Sequence, residues 1–132
     1  HEPDFHPNQA KQLRGLHLIL EKPNRGRIFV LRNSDRIIAM VNMLFTISTA
    51  EGGFVIILED LIVHADHRGQ GHGSTLLRYA IDFANQKHFL RISLLTDRVE
   101  GRVPDFWRKH GFVESGMVTM RLRLAPESGG AS

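Results

Sequence analysis

Residues 58–74, LEDLIVHADHRGQGHGS, constrain the fold of this chain more than any other stretch. Leu61, Ile62 and Val63 are apolar, and two of them are β-branched, as a buried strand requires. A Gly-rich run follows at residues 68–73, and the apolar residues after it are spaced three and four apart, which predicts the core face of an α-helix. These apolar residues are Leu76, Leu77, Ala80, Ile81 and Ala84. The stretch therefore predicts a strand, a tight turn and a helix in direct succession.

The Gly-rich run is typical of a site for a phosphate group. Glycines at a strand-to-helix junction let backbone N–H groups approach a ligand closely. The helix N-terminus adds a partial positive charge, and Arg68 adds a full one. The run is not a Walker loop, because Gly-Lys-Ser/Thr does not follow at the required spacing, and it is not the dinucleotide fingerprint, whose third glycine is replaced by Ser74. The alternative interpretation is that the glycines only form a tight turn.

The order of these residues resembles the signature of the GNAT-type N-acetyltransferase superfamily. Arg68, Gly71 and Gly73 match its pyrophosphate-binding pattern Gln/Arg-x-x-Gly-x-Gly/Ala, and the preceding strand has the matching form Leu-x-Val. A second family element lies downstream, in the run FWRKHGF at residues 106–112. The resemblance covers roughly residues 27–124.

The resemblance implies a GNAT fold, an α/β domain of the α+β type whose mixed, mostly antiparallel sheet is flanked by helices and splayed beside residues 61–63. It implies an acyltransferase that moves an acetyl group from acetyl-CoA, its co-substrate, to a primary amine of a small molecule or peptide by direct attack, without a metal. A backbone N–H of Leu61 or Ile62 would polarise the thioester carbonyl. The residues that the resemblance assigns to the coenzyme are Leu61, Ile62, Val63, Arg68, Gly69, Gln70, Gly71, His72, Gly73, Ser74 and Trp107.

Glu59 and Asp60 are the candidate proton acceptors. An amine with a pKa near that of lysine, about 10.4, is mostly protonated at pH 7, so a base assists the transfer. Carboxylates rarely stand in an apolar strand without a partner or a role. The family often has Glu at the position of Glu59, and a β-bulge is common there, so strand alternation does not decide which carboxylate faces the substrate. The alternative interpretation is an ion pair with Arg36, Arg91 or another nearby base.

Trp107 departs from the family pattern. Many members have a tyrosine at this position, near the sulfur that leaves, whereas an indole N–H cannot deliver a proton at neutral pH. Tyr79, the only tyrosine, lies on the predicted long helix away from this element, and the coenzyme-binding Asn of the family is absent from residues 97–105. These departures leave a second function open, that of a coenzyme A-binding sensor or interaction module with little turnover.

The composition is that of an ordinary globular domain. The chain has 132 residues, 42% of them hydrophobic and 23% charged, and we expect a single GNAT-type domain over residues 1–132, with an irregular lead-in at 1–6 and a flexible tail at 125–132.

There is no stretch of roughly 18 apolar residues, no visible signal peptide and no cysteine, so we expect a cytoplasmic protein without a membrane partner. The net charge of +3 does not indicate nucleic acid, and the spacing of the eight histidines, His64 and His67 among them, supplies no third metal ligand. A homodimer and the identity of the acceptor amine stay open.

Periodicity and turn residues predict the remaining elements. We expect helices at residues 7–21, 73–86 and 104–110, and strands at 27–32, 36–47, 54–63, 90–96, 112–116 and 117–124. The strand–helix–strand crossover predicts that strands 54–63 and 90–96 are parallel. Family members carry a further strand before the first helix, and no pattern for it is visible here, so we expect the N-terminal strand to be missing, irregular or replaced by another segment.

Overall fold

The computed structural model describes residues 9–96 and 104–124. The chain divides into two compact units, residues 1–97 and residues 98–132. The expectation of one domain over residues 1–132 stays a prediction. None of the helices within the described ranges combines the length and the apolar character of a membrane span.

The first unit is a four-stranded sheet with helices packed against it. In chain order its elements are α1 (Gln9–Glu21), β1 (Gly26–Asn33), β2 (Arg36–Ser48), β3 (Gly53–Val63), a 3-10 turn (Ala65–His67), α2 (His72–Gln86) and β4 (Ile92–Leu94). The strands lie in the order β1-β2-β3-β4; β2 is antiparallel to β1 and β3, and β4 is parallel to β3. This is the expected mixed, mostly antiparallel sheet, and the parallel pair confirms the predicted crossover. The expectation that the N-terminal strand is missing, irregular or replaced falls on residues 1–8, which lie outside the described residues.

α2 covers one face of the sheet through an aromatic cluster. Phe29 of β1 packs edge-on against Tyr79 and Phe83 of α2, with ring centroids 5.0 and 5.1 Å apart. Phe45 of β2 stacks on Phe83 at 6.1 Å, and the guanidinium of Arg27 lies 5.1 Å from the centre of the same ring. Because residues i and i+2 of a strand share a face, the odd-numbered residues of this part of β1 and β2 face α2.

α1 lies on the opposite face. Gly26 of β1 packs against Ile19 of α1, whose Cγ2 is 3.2 Å from the point that a Cβ on Gly26 would occupy. Gly26 pairs with Leu44, and Ile28 pairs with Asn42. Because directly paired residues point to the same side of a sheet, Leu44 and Asn42 share the face that α1 covers.

The core lies between α2 and the two central strands. α2 buries four of the five residues predicted for its apolar face, whereas Ile81 is half-buried. The largest fully buried side chains are Met43, Ile56, Leu77, Val41 and Val55. The middle of β3 is buried on both faces, which agrees with its continuous apolar run.

In the described residues 104–124 of the second unit there is one short helix, α3 (Asp105–Lys109), which Gly111 follows with φ +93°. Trp107 packs edge-on against Phe106 and Phe112, with ring centroids 5.0 and 5.6 Å apart. The prediction of strands at residues 112–116 and 117–124 is wrong, because none of these residues is in a strand. Alternation gives a segment one apolar face, but a strand forms only where another strand pairs with its backbone.

Candidate active site

The Gly-rich run forms the entrance to α2 as predicted. Gly69 and Gly71 have φ values of +79° and +84°, in the left-handed region that favours glycine. Gly71 is the N-cap of α2, and its carbonyl accepts hydrogen bonds from the N–H of Thr75 at 3.0 Å and from its hydroxyl at 3.1 Å. The helix therefore starts one residue earlier than predicted, at His72, and the loop is fixed by its own backbone.

This loop presents a cradle of backbone N–H groups. The first turn of a helix leaves its N–H groups without intrahelical partners, and within the described residues the N–H groups of residues 69–73 donate to no protein acceptor. A Cβ added to Gly69 or Gly71 would meet no atom of residues 9–96 and 104–124 within 4 Å, so the glycines face open space in this part of the chain. Free N–H groups around an open volume at a helix N-terminus fit a phosphate group.

Arg68 connects the loop to the end of β3. Its Nε donates to the carbonyl of Val63 at 3.1 Å, while the side chain stays exposed. Because an arginine has five donors, this bond leaves the other N–H groups of the guanidinium available to an anion at the cradle.

Histidines line the approach to the same loop. His67 lies between His64 and His72, with ring centroids 5.8 and 6.0 Å apart, and Nε2 of His72 is 3.3 Å from Oε1 of Gln70. Within the residues that the structure describes, no group of three His, Asp or Glu side chains could hold a metal ion.

β3 has an open edge next to the loop. β4 pairs with β3 through Ile56, Ile57 and Leu58, and in the described part of the chain its pairing goes no further. β4 ends at Leu94, two residues short of the predicted strand end, whereas β3 continues to Val63. Within the described part of the first unit, residues 59–63 therefore form a segment that is paired with β2 on one side and open on the other.

The pairing with β2 decides which backbone groups point to this open edge. The N–H of His64 donates to the carbonyl of Ile38 at 2.7 Å. Since successive residues alternate between bonding to the partner strand and pointing away from it, Ile62 bonds toward β2. Leu61 and Val63 direct their N–H groups to the open edge. Of the two N–H groups that the resemblance assigned to the thioester carbonyl, that of Leu61 lies at this edge and that of Ile62 does not.

A β-bulge falls at the candidate base. Met43 of β2 pairs with Leu58, and the neighbouring Asn42 pairs with Asp60, so Glu59 is an extra residue in β3. Strand alternation is interrupted at this point. The two carboxylates consequently need not point to opposite faces, and both stand at the start of the open edge.

Neither carboxylate is paired with a base among the described residues. Arg91, one of the partners considered, forms its ion pair with Glu51 instead, with Nη1 and Oε2 3.3 Å apart. Glu59 is exposed and Asp60 is half-buried. The interpretation of these carboxylates as one half of an ion pair with Arg91 is therefore wrong.

Sequence reasoning missed one polar residue beside this site. Asn42 is 7% exposed, and its Oδ1 is buried without a hydrogen-bond partner in the described ranges. It interrupts an otherwise apolar run at residues 37–45, and that interruption is the signal that could have identified it.

The structure thus brings together the carboxylates, the open edge and the loop, from Glu59 to Ser74, in the first unit. Trp107 belongs to the second unit, where it lies among aromatic rings. Its assignment to the coenzyme stays a prediction.

Part of the chain is similar to a characterised enzyme. It is 34% identical over 64 residues to streptothricin acetyltransferase A of Bacillus subtilis (strain 168). These 64 residues make up 48% of this chain and 37% of that protein. The chain therefore matches little more than a third of the length of this relative.

Solved structures share the fold. An integron cassette protein from the mobile metagenome of Cole Harbour Salt Marsh has a TM-score of 0.79 at 22% identity, with 93% of this chain and 76% of that chain covered. The aminoglycoside acetyltransferase meta-AAC0020 from an uncultured soil metagenomic sample, in complex with sisomicin, has a TM-score of 0.72 at 20% identity, with 93% and 79% covered.

A family model described as an acetyltransferase (GNAT) domain matches residues 24–114. This range contains β1 to α3, and with them the bulge, the open edge and the loop. Because it covers more than half of the sequence, the chain belongs to the GNAT acetyltransferase family.

Proposed function

We propose that this protein is an acetyl-CoA-dependent N-acetyltransferase that acts on a primary amine of a small molecule or peptide. One observation carries the proposal: the open edge of β3 leads directly into the N–H cradle at the start of α2. A ligand with an extended, amide-containing arm and a pyrophosphate at its end fits these two features in that order.

Coenzyme A has this chemistry. Arg68 and the N–H groups of residues 69–73 would hold its pyrophosphate, and the carbonyl of Leu61 and the backbone groups of Val63 would pair with the amides of its pantetheine arm, as an added strand pairs with a sheet edge. When bound as acetyl-CoA, it supplies the thioester whose acetyl carbonyl an amine attacks.

The carboxylates at the bulge would prepare the amine. Glu59 or Asp60, neither of which is neutralised by a described base, attracts a protonated amine and accepts its proton, which frees the nitrogen lone pair. The N–H of Leu61 would donate to the carbonyl oxygen as negative charge develops there. The sequence leaves Glu59 and Asp60 as alternatives for the base, which the variants Glu59→Gln and Asp60→Asn distinguish.

The experiment is a free-thiol release assay with acetyl-CoA and a panel of amines. Streptothricin and sisomicin belong in the panel because related proteins are named for these compounds or their class, and spermidine, lysine and a short peptide extend it. We expect thiol release that depends on one of these amines, with a mass increase of one acetyl group on that amine. Reactions without amine give the background. Release that no amine increases would contradict the proposal.

A second candidate function is a coenzyme A-binding module with little turnover. Trp107 favours it, because the chain has no tyrosine in the element where the family's proton donor stands. The same assay, combined with calorimetric titration of coenzyme A, separates the two functions. Tight coenzyme binding without amine-dependent thiol release would support the module and contradict the enzyme.

A further inference from the structure

Asn42 carries a polar group that the fold leaves unsatisfied. The residue is only 7% exposed, and Oδ1 has no hydrogen-bond partner among the described residues. Exchanging the two ends of the amide by rotation about χ2 would bury the NH2 group instead, so one end of this amide is unpaired in either orientation. Such a group destabilises a fold unless a ligand or another polar group meets it.

The position of Asn42 places this group beside a candidate base. It stands in a cross-strand row between Ile28 of β1 and Asp60 of β3, on the face that α1 covers. Directly paired side chains on one face have Cβ atoms about 5 Å apart, within reach of a shared ligand. Ile28 offers no polar atom, so the polar end of the row is Asp60, beside the bulge at Glu59.

Together these three side chains offer hydrogen-bond acceptors and no positive charge. The carboxylates of Glu59 and Asp60 accept only, and in the orientation found in the structure the buried end of the Asn42 amide is Oδ1, an acceptor that lacks a donor. The complementary ligand is a group with donors alone, and a primary ammonium has three N–H donors and no acceptor. We infer that Asn42 is a third ligand of the acceptor amine, which it binds through Oδ1 next to Glu59 and Asp60. This inference rests on the proposed acetyl transfer for its role in turnover.

Such an arrangement would also direct the attack. The ammonium passes one proton to a carboxylate and keeps two N–H bonds, which donate to Asn42 and to the other carboxylate. The lone pair that the lost proton leaves behind first faces the carboxyl group that took the proton, and it attacks the acetyl carbon once that group releases the proton to solvent and turns aside. Asn42 therefore selects amines with two N–H bonds after deprotonation, that is, primary amines over secondary and tertiary ones.

Binding can be tested without knowledge of the natural acceptor. In ¹H–¹⁵N spectra of the whole protein, the side-chain NH2 signals of Asn42 are those lost in Asn42→Leu. We expect them to shift saturably when methylammonium is added, and to stay in place with tetramethylammonium at equal ionic strength, because that ion has the same charge and no N–H donor. The exposed Asn24, Asn33 and Asn85 serve as internal controls. The inference is overturned if the chemical shifts of the Asn42 signals do not change with methylammonium, or if they change equally with both ions.

Variants test the role of Asn42 in turnover. Asn42→Leu removes the acceptor at similar size, and we expect KM for the best amine of the panel to rise about 10- to 100-fold, with KM for acetyl-CoA unchanged. Asn42→Ser keeps an oxygen and should recover part of this loss. Met40→Leu, two residues away on the same strand face, is the matched control. A merely structural Asn42 predicts a changed melting temperature with an unchanged KM for the amine, which would overturn the inference.

The outcomes separate this inference from the proposed function. If no amine is acetylated but the Asn42 signals distinguish methylammonium from tetramethylammonium, the transferase proposal fails and the amine site stands. If amines are acetylated and Asn42→Leu leaves their KM unchanged, the transferase stands and the role of Asn42 is wrong.

Discussion

Glu59 is the one residue of β3 that has no counterpart in β2. Most residues of this strand are fixed by pairing and burial, but the bulge removes Glu59 from the ladder and lets its exposed carboxylate take a position that the alternation of a strand would not give it. Asp60, by contrast, remains paired with Asn42 and is half-buried. The two neighbours therefore differ in their freedom to follow a substrate, which makes their roles separable by mutation.

We expect Glu59→Gln to lower kcat by roughly 10²- to 10⁴-fold at pH 7, because the amide keeps the size of the side chain and cannot accept a proton. The loss should shrink as the pH rises toward the pKa of the amine, since more acceptor is then already neutral. Affinity for coenzyme A, measured by calorimetry, should stay the same. Asp60→Asn is the matched control, and a larger kcat loss in Asp60→Asn than in Glu59→Gln would assign the base to Asp60 instead.

The strand, loop and helix from β3 to α2 are the element on which the proposed function depends. The positive φ values of Gly69 and Gly71 keep the backbone free of side chains where the N–H groups converge, and the first turn of α2 contributes its unpaired donors. Both the open space and the N–H donors around it are formed by the backbone. A substitution that fills this space should therefore weaken coenzyme binding rather than slow acetyl transfer.

Gly71→Val should lower the affinity for acetyl-CoA by more than tenfold, because the new side chain would occupy the open volume in front of the N–H groups. Strain from φ +84° would also destabilise the fold by about 1–3 kcal/mol. Gly52→Val separates the two effects, since Gly52 has φ +83°, faces open space and lies at the other end of β3. Calorimetry measures the affinity for acetyl-CoA, and thermal melting measures the stability. Equal affinities of the two variants for acetyl-CoA would show that residues 69–73 do not bind the phosphates.

Local patterns in the sequence were sufficient to predict this element. The apolar strand, the glycines and the three-and-four spacing of α2 each reflect interactions within a few residues, and all three are found in the structure. The bulge and the end of β4 depend instead on how strands distant in sequence pair. No local pattern indicates where the pairing register between two strands shifts. For the same reason the buried Asn42 was missed, since its importance comes from its position opposite Asp60.

At the scale of the whole molecule, stability should depend on the contact between α2 and the sheet. Leu77 of α2 is completely buried, whereas Leu13 of α1 is 51% exposed. We expect Leu77→Ala to lower the free energy of unfolding by about 2–5 kcal/mol, through lost burial and the cavity left behind. Leu13→Ala should change it by less than about 1 kcal/mol. Urea denaturation measures both, and equal losses would show that the core lies elsewhere.

The two compact units raise the question of what the second unit contributes to turnover. Its alternating apolar residues led to a prediction of two strands that the structure does not contain, because periodicity alone does not supply a pairing partner. Trp107 is the residue in this unit that family resemblance connects with the reaction, and it packs against Phe106 and Phe112. Its substitution therefore tests whether the second unit takes part in proton transfer.

We expect Trp107→Tyr to raise turnover per folded molecule by about tenfold or more, with an unchanged KM for acetyl-CoA, because a hydroxyl acts only as the leaving sulfur gains charge. The smaller ring leaves a gap among its aromatic neighbours, so the melting temperature should fall. Trp107→Phe is the matched control: it leaves a similar gap without adding a hydroxyl, and should lose stability without gaining turnover. Stopped-flow thiol release, normalised to the folded fraction, measures the rate. An equal rate for both variants and the wild-type protein would show that Trp107 only packs against its neighbours and that the reaction needs no proton donor at this position.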